Sequence, residues 1–479
     1  MELLLIPFLF ALVSLVVPSN FVRQFSLIGG IVSLIVTIGH LCSFDTNTFV
    51  SILDPSCVTS FGLTCKMGYD GMSLFMVLLT NVITFLIILS NYNRDLASNR
   101  SFTALVFFMQ LGLLGVFTSF DGLLFYIFWE ITLIPVFLIA LWYGGSDRKQ
   151  ALVKFFIYTF VGSLAMLLSL MAIKGHAESF SHSDLMAVEL TAKSAFWIFG
   201  GFFLAFAIKI PLFPFHTWQP NTYTTSPMAG TMLLSALMLK MALYGMIRWL
   251  IPLAPEALAD MTYPVVVLGI IGVVYAGILA IKQNDIKRLF AFASISHVGL
   301  IAAGAILYSH DNWSAVFIQM ANHSLVAVGL FLSADIIEQR LGSRKLSDLG
   351  GIAKQAPRFA FMFGALVLAA ISVPLSSGFI GEFMLLKGVY SYNWLIGFVA
   401  GTTLIVGAVY TLRAYQLAMF GAPKSTHFSD LTWNEWLAYL IIMVTIVVFG
   451  VYPQAIIDFL SPSIDSLIES VKTINTLHK

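Results

Sequence analysis

The chain is poor in charge. Only 10% of its 479 residues are Asp, Glu, Lys or Arg, well under half the roughly 25% of an ordinary soluble domain. That scarcity excludes a soluble globule. The net charge of +1 points to no partner, and no nucleic acid is expected. Cysteine is scarcer still: three residues and no CxxC pair, so zinc and iron–sulfur sites lack their ligands. Cys57 and Cys65 share one polar loop and form either a disulfide, if that loop is extracytoplasmic, or two free thiols. The apolar–polar alternation of a membrane strand barrel, in segments of roughly ten residues, is missing. So is a small-residue cleavage site after the first apolar run, which continues into PSNFVRQ; no cleavable signal peptide is expected.

What is abundant is apolar sequence. Hydrophobic residues make up 59% of the chain, the mean hydropathy is +0.91, and many continuous runs reach the roughly 20 residues a helix needs to cross a bilayer. The fold class is an all-α polytopic membrane protein with about fourteen spans in a single membrane domain covering 1–479. Basic residues fall in loops of alternating side, about fifteen on one side against about seven on the other. The positive-inside rule then places both termini outside.

Two spans read as broken. In the seventh, 194–217, Pro211 and Pro214 remove two backbone donors just after Lys209; in the twelfth, 359–390, Pro374 and Gly378 interrupt a run long enough for two half-helices. Irregular backbone at membrane depth is tolerated only inside protein or beside water. Breaks five spans apart suggest two inverted repeats, spans 4–8 (102–251) and spans 9–13 (262–420). The tail from 461 to 479 reads as an amphipathic helix on the outer surface, N-capped by Ser461 with Pro462 at its first position, its apolar face formed by Ile464, Leu467, Ile468, Val471 and Ile474. Lipid and a neighbouring subunit are both open as its contact.

The scarce charges matter because several sit where charge is costly. Glu130, Lys209, Lys240, His297, His323 and Glu382 lie one per span in otherwise apolar runs, where an ionised side chain at mid-membrane costs on the order of 3 kcal/mol. Burial shifts carboxyl and amine affinities toward the neutral forms, and a nearby opposite charge shifts them back. Glu130 beside Lys209 would make a two-state switch, with Lys240, the two histidines and Glu382 as stations for a proton. Taken singly the groups have plainer readings: a fixed ion pair, a structural histidine, or haem ligation by His297 and His323. His176, His182, Glu178 and Asp184 in one loop are a solvated segment or a metal site. The set of six around two broken helices is hard to explain as structure alone.

At these residues the chain resembles the antiporter-like subunits of respiratory complex I, most closely the M-type (mitochondrial chain-4 type). The matching stretches are FWEITLIPVFLIALWYGG around Glu130, FAIKIPLFPFHTW around Lys209, LMLKMALYGMIR around Lys240, QNDIKRLFAFASISHVG around His297, IQMANHSLVAVGLF around His323 and GFIGEFMLL around Glu382. Glutamate at 382, where other antiporter-like chains have lysine, marks the M type. The resemblance runs from about Asp70 to Pro453. It implies fourteen helices with the two inverted repeats, and a proton-translocating role in a NADH:quinone oxidoreductase: Glu130 and Lys209 as coupling pair, Lys240 as central relay, His297 and His323 as relay or water-holding positions, Glu382 as exit group. It also implies no cofactor in this chain, with flavin, iron–sulfur clusters and quinone in partner subunits, other membrane-arm subunits as neighbours, and a bacterial cytoplasmic or an organellar inner membrane. The alternative is a subunit of a related cation/proton antiporter or membrane-bound hydrogenase. Three departures stand out: Pro220-Asn221-Thr222-Tyr223 where the family often has Pro-Asp-Ala-His, Ser324 where glycine is common after the histidine, and PLSSGF at the second break.

Overall fold

The computed structural model describes residues 1–53, 62–424 and 427–477; the question of Cys57 pairing with Cys65 therefore falls outside the described residues. Among them, twelve helices are long and apolar enough to cross a membrane. Two further apolar helices are shorter: Glu2–Ser14, and Pro357–Ala370, which forms the first part of the split twelfth span. The only departures from helix within the described residues' regular structure are the short antiparallel strands Val50–Leu53 and Met67–Tyr69, in the polar stretch after the second span.

Helix starts are set locally. Asp70, Asn99, Asp121, Thr191, Asp285, Ser309, Ser376 and Asn393 each accept a backbone N–H of the turn they precede, and Thr432 with Glu435 closes a capping box. Such caps satisfy donors that a helix end leaves open. Asp121 does more: its second oxygen accepts from Thr64 N and Oγ1, both at 2.8 Å, pinning the loop after the second span over the start of the fifth.

Burial sorts the helices into layers. Met228–Leu253 and His310–Leu341 are buried on all sides, and Ile286–Ile306 nearly so, whereas Trp394–Met419 and the second helix, Val22–Ser43, present much of their apolar surface outward. Apolar groups facing outward, such as Leu168, Trp197, Phe361, Phe398 and Ile405, fit a lipid-facing belt. The three enclosed helices are the ones that carry Lys240, His297 and His323.

The start of the first helix, where Glu2 Oε2 is 3.8 Å from His40 Nε2, and the tail helix lie on one face. His40 Nδ1 is 2.9 Å from Tyr69 OH at the start of Gly71–Asn91, and Gly71 N donates to Ser463 Oγ (2.8 Å) in the tail. The opposite face is clamped by charge: Arg94 Nη2 meets Asp335 Oδ2 at 2.7 Å and Glu435 Oε1 at 3.2 Å, while Arg340 Nη2 meets Glu435 Oε2 at 2.6 Å. Arg94 and Arg340 thus tie the ends of three helices together.

The tail corrects its expected form. One helix runs Gln454–Leu477 with Pro462 inside it, and Ser461 Oγ donates back to Ile457 O (2.7 Å) rather than capping a new start. Leu460, Ile464, Leu467, Ile468 and Val471 are buried against the chain's own Gly71–Asn91 and His310–Leu341 helices. The apolar stripe of the tail packs on the chain itself.

Candidate proton-transfer site

The helix Met228–Leu253 is not a regular α-helix. Two π-turn segments, Leu234–Met238 and Met246–Leu250, flank the α-helical stretch Leu239–Gly245. An extra residue per turn loosens the carbonyl ladder, a feature common at functional positions. Two carbonyls in the first segment turn to side chains: Lys240 Nζ donates to Ser235 O (2.8 Å) and Ser324 Oγ to Ala236 O (2.6 Å). Ser324, a departure from the family pattern, thus tethers two enclosed helices.

Lys240 is wholly buried, and its Nζ lies 2.7 Å from His323 Nδ1. The other ring nitrogen, Nε2, is 3.1 Å from Ser294 Oγ, which is 3.4 Å from Ser235 Oγ. A cavity of about 30 Å³ joins Ser235, Ser294, His323, His297 and Tyr410, room for roughly one or two waters. Beyond it, His297 Nδ1 meets Glu382 Oε1 at 2.9 Å and its Nε2 meets Tyr410 OH at 3.3 Å. Gln319 Nε2 donates to the same Glu382 oxygen (3.2 Å). Haem does not fit here: both nitrogens of each histidine are engaged, and the space between them suits water.

The second break delivers Glu382. Pro357–Ala370 stops, Ser372 and Leu375 take positive φ, and Ser376 caps the resumed helix Ser377–Tyr392. Gly378 is therefore inside that helix rather than in the break. A Cβ there would stand 2.8 Å from Asn322 Nδ2, and one at Gly381 2.5 Å from Gln319 Oε1. The two glycines let the resumed helix press against His310–Leu341, which brings Glu382 to Gln319 and His297.

The first half is built differently. Ala192–Lys209 ends at the lysine, and Trp218 Nε1 donates to Ile208 O (2.9 Å), folding the chain after Pro214 back on the helix end. Lys209 is buried, with Nζ 5.2 Å from the Trp129 ring centroid. A third break, which the sequence did not announce, follows Glu130: one helix ends at Ile131 and the next starts at Leu133, with Thr132 Oγ1 donating to Trp129 O (2.7 Å). Half-buried Glu130 is the charged group acting on Lys209, yet the two do not close to a direct ion pair. Toward the Lys240 helix the contacts are apolar or sulfur: Phe125 on Trp249, and Thr132 on Met241 Sδ at 3.7 Å. Of the six expected residues the structure thus unites Lys240, His323, His297 and Glu382, and keeps Glu130 with Lys209 as a separate unit.

Several groups escaped the sequence reading. Arg248 and Lys287, counted there as loop residues, are buried inside helices. Lys287 Nζ donates to Ser226 O (2.6 Å) and lines, with Asp285, Asp335, Glu338 and Arg344, a cavity of about 670 Å³ on the clamped face. Arg248 pairs with Asp70. His182, expected in a solvated loop, turns inward; burial and the Arg248 guanidinium push it down to about 4, so neutral Nε2–H donates to Arg248 O (2.8 Å). Asn221 faces Arg288 (3.4 Å) and lines a cavity with Asp147, Lys154 and Arg288, so other elements supply the ionisable groups that 221–223 lack. Spacing could have flagged Arg248, which follows Lys240 by two turns on one stripe.

The family model described as "NADH:quinone oxidoreductase/Mrp antiporter, TM" matches residues 119–408. NADH-quinone oxidoreductase subunit M of Rickettsia prowazekii is 33% identical over 452 residues, 92% of each chain. This chain belongs to that family. NADH-ubiquinone oxidoreductase chain 4 of Metridium senile is 34% identical over 395 residues, 82% of this chain and 80% of that one. These two relatives agree with the M type read from Glu382. Among solved structures, a chain of respiratory complex I from Thermus thermophilus with bound NADH superposes with a TM-score of 0.91 at 30% identity, covering 98% of this chain and 99% of that one. A chain of the Mrp complex from Dietzia sp. DQ12-45-1b has the same fold, with a TM-score of 0.90 at 18% identity over 100% of this chain and 99% of that one.

Proposed function

We propose that this chain is a proton-translocating membrane-arm subunit of a NADH:quinone oxidoreductase, moving H+ from inside to outside while redox chemistry proceeds in other subunits that hold the flavin, iron–sulfur clusters and quinone. The observation that carries the reading is the file Lys240–His323–Ser294, continued across the small cavity by His297–Glu382. Each member can give and take a proton, and each gap is a hydrogen bond or one water wide. A proton on Lys240 Nζ passes to His323 Nδ1 as Nε2–H releases one toward Ser294 and the cavity water. His297 receives it there and Nδ1 hands it to Glu382. Glu130 and Lys209 bias the step: when the Glu130 carboxylate gains or loses a proton, the charge felt along the file changes without any atom crossing the Phe125 and Thr132 contacts to the Lys240 helix. The breaks after Lys209 and at Pro374 are read as corresponding positions of two inverted repeats, 102–251 and 262–420.

Lys209→Ala or Glu130→Ala is expected to leave the complex assembled while proton pumping and quinone reduction fall together, because tight coupling stalls the redox step. Both rates are read in membranes or reconstituted vesicles. Normal pumping by either assembled variant rules the pair out.

The terminal face is placed outside by the distribution of basic residues. With the native cysteines removed, a single cysteine within 341–356 should resist an impermeant thiol reagent added to intact cells, and one at the exposed Lys472 should react. The reverse pattern inverts the direction of transfer given above.

A further inference from the structure

Lys240, Tyr244 and Arg248 follow one another at four-residue spacing along Met228–Leu253, so Arg248 stands roughly 12 Å from Lys240 along the axis. The Tyr244 hydroxyl, wholly buried, is 2.9 Å from Ser73 Oγ, 3.2 Å from Phe117 O and 3.2 Å from Arg248 Nε. The Arg248 guanidinium lies 4.9 Å from the Phe120 ring centroid and 5.6 Å from that of Tyr244. Its Nη2 pairs with Asp70 Oδ2. Asp70 is itself fixed, because its Oδ1 accepts from Ser73 N (2.9 Å) as the cap of Gly71–Asn91. Outside this pair a cavity of about 1010 Å³ opens on the terminal face, lined by Asp70, Phe120, His182, Arg248, and Ser463 and Glu469 of the tail. Tyr244, one turn beyond Lys240 on the same helix, therefore forms a hydrogen-bonded cluster with Ser73 and Arg248, and the Arg248–Asp70 pair stands between that cluster and the open space.

A guanidinium has five donors and no acceptor, and it does not deprotonate in proteins. A hydrogen-bonded chain running outward from Tyr244 meets a group that can only donate back to it. Water, or a neutral amide, would continue the chain. Fixed arginines exclude protons from other membrane pores in the same way.

We infer that the Arg248–Asp70 pair is an insulating plug that keeps cavity water from Lys240, so that a proton held there leaves through His323 and not along its own helix. The inference rests on the reading of Lys240 as a proton station. Arg248 is then a positioning residue, and it acts by closing a path.

The test uses the whole complex in liposomes, with a trapped pH dye and NADH oxidation read in parallel. Arg248→Gln supplies an acceptor; the double variant Arg248→Gln/Asp70→Asn does the same without an unpaired carboxylate, and asparagine caps a helix as well as aspartate. Either should let an imposed pH gradient decay about tenfold faster while NADH oxidation persists, an uncoupled phenotype. Arg248→Lys, again a donor-only cation, should stay tight. Assembled variants that hold the gradient as wild type does overturn the plug, and so does failure of both Arg248→Gln variants to assemble, which assigns the pair a structural role. If wild-type vesicles themselves build no gradient, the reading of the chain as proton-translocating fails first, and separately.

Discussion

Lys240→Met is expected to abolish proton pumping and to lower quinone-linked NADH oxidation by an order of magnitude or more, the scale at which a positioned proton-transfer group contributes. Methionine fills nearly the same volume in a site with no exposure, so packing survives. What is lost is the donor that joins Ser235 O to His323 Nδ1. Leaving those two groups unpaired costs about 1–3 kcal/mol each, which a site enclosed by packed apolar helices should withstand, and assembly is checked on native gels. Lys240→Arg separates the two roles a lysine could have here. Arginine keeps the charge but gives up no proton at any working pH. If Lys240 relays protons, the arginine variant is as dead as the methionine one. Full pumping by Lys240→Arg would reduce Lys240 to a fixed charge and break the file at its first member.

Much of this arrangement was legible because intramembrane charge is so costly that its mere presence marks a site. Lys209, Lys240 and Glu382 stood out against apolar neighbours, and Pro211, Pro214 and Pro374 marked the breaks, because each removes a donor from the helical ladder. The break at Thr132 was not legible: Pro135 sits four residues from Ile131, where its ring conflicts with that carbonyl, but a proline so placed as often kinks a helix as ends it. The π-turn segments around Lys240 left no mark at all, because LMLKMALYGMIR satisfies a regular helix equally well; the choice is made by tertiary contacts such as Ser324 to Ala236. Helix-end charges misled for a different reason. Arg94, Arg248 and Lys287 lie at the ends of apolar runs, where a solvated loop residue and a buried ion-paired one have the same sequence, and only the partners Asp335, Asp70 and Ser226, distant in the chain, tell them apart. The tail showed the same limit: its apolar stripe was plain, its binding surface was not.

Glu382→Gln is expected to cut pumping by at least about tenfold with little change in structure. The amide oxygen can accept from Gln319 Nε2 and from His297 Nδ1–H as the carboxylate oxygen does now, at 3.2 and 2.9 Å, and the helix carrying it is fixed by Ser376 and by the close approach at Gly378 and Gly381. Only the ability to take up and release a proton is removed. Glu382→Lys makes a subtler case. A lysine presents donors alone, so His297 Nδ1 must become an acceptor, the tautomer that would reproduce the contact of Lys240 with His323. Gln319 can follow, because its Oε1 is buried and has no hydrogen-bond partner among the described residues; turning the amide over would offer that oxygen to the new ammonium. The lysine variant should therefore assemble and keep part of its pumping, while the glutamine variant, closer in shape to the native residue, should not. Pumping and NADH oxidation measured side by side in vesicles separate the outcomes. Wild-type pumping by Glu382→Gln would show that no proton stops at this position, and would leave His297 as the last titratable member of the file.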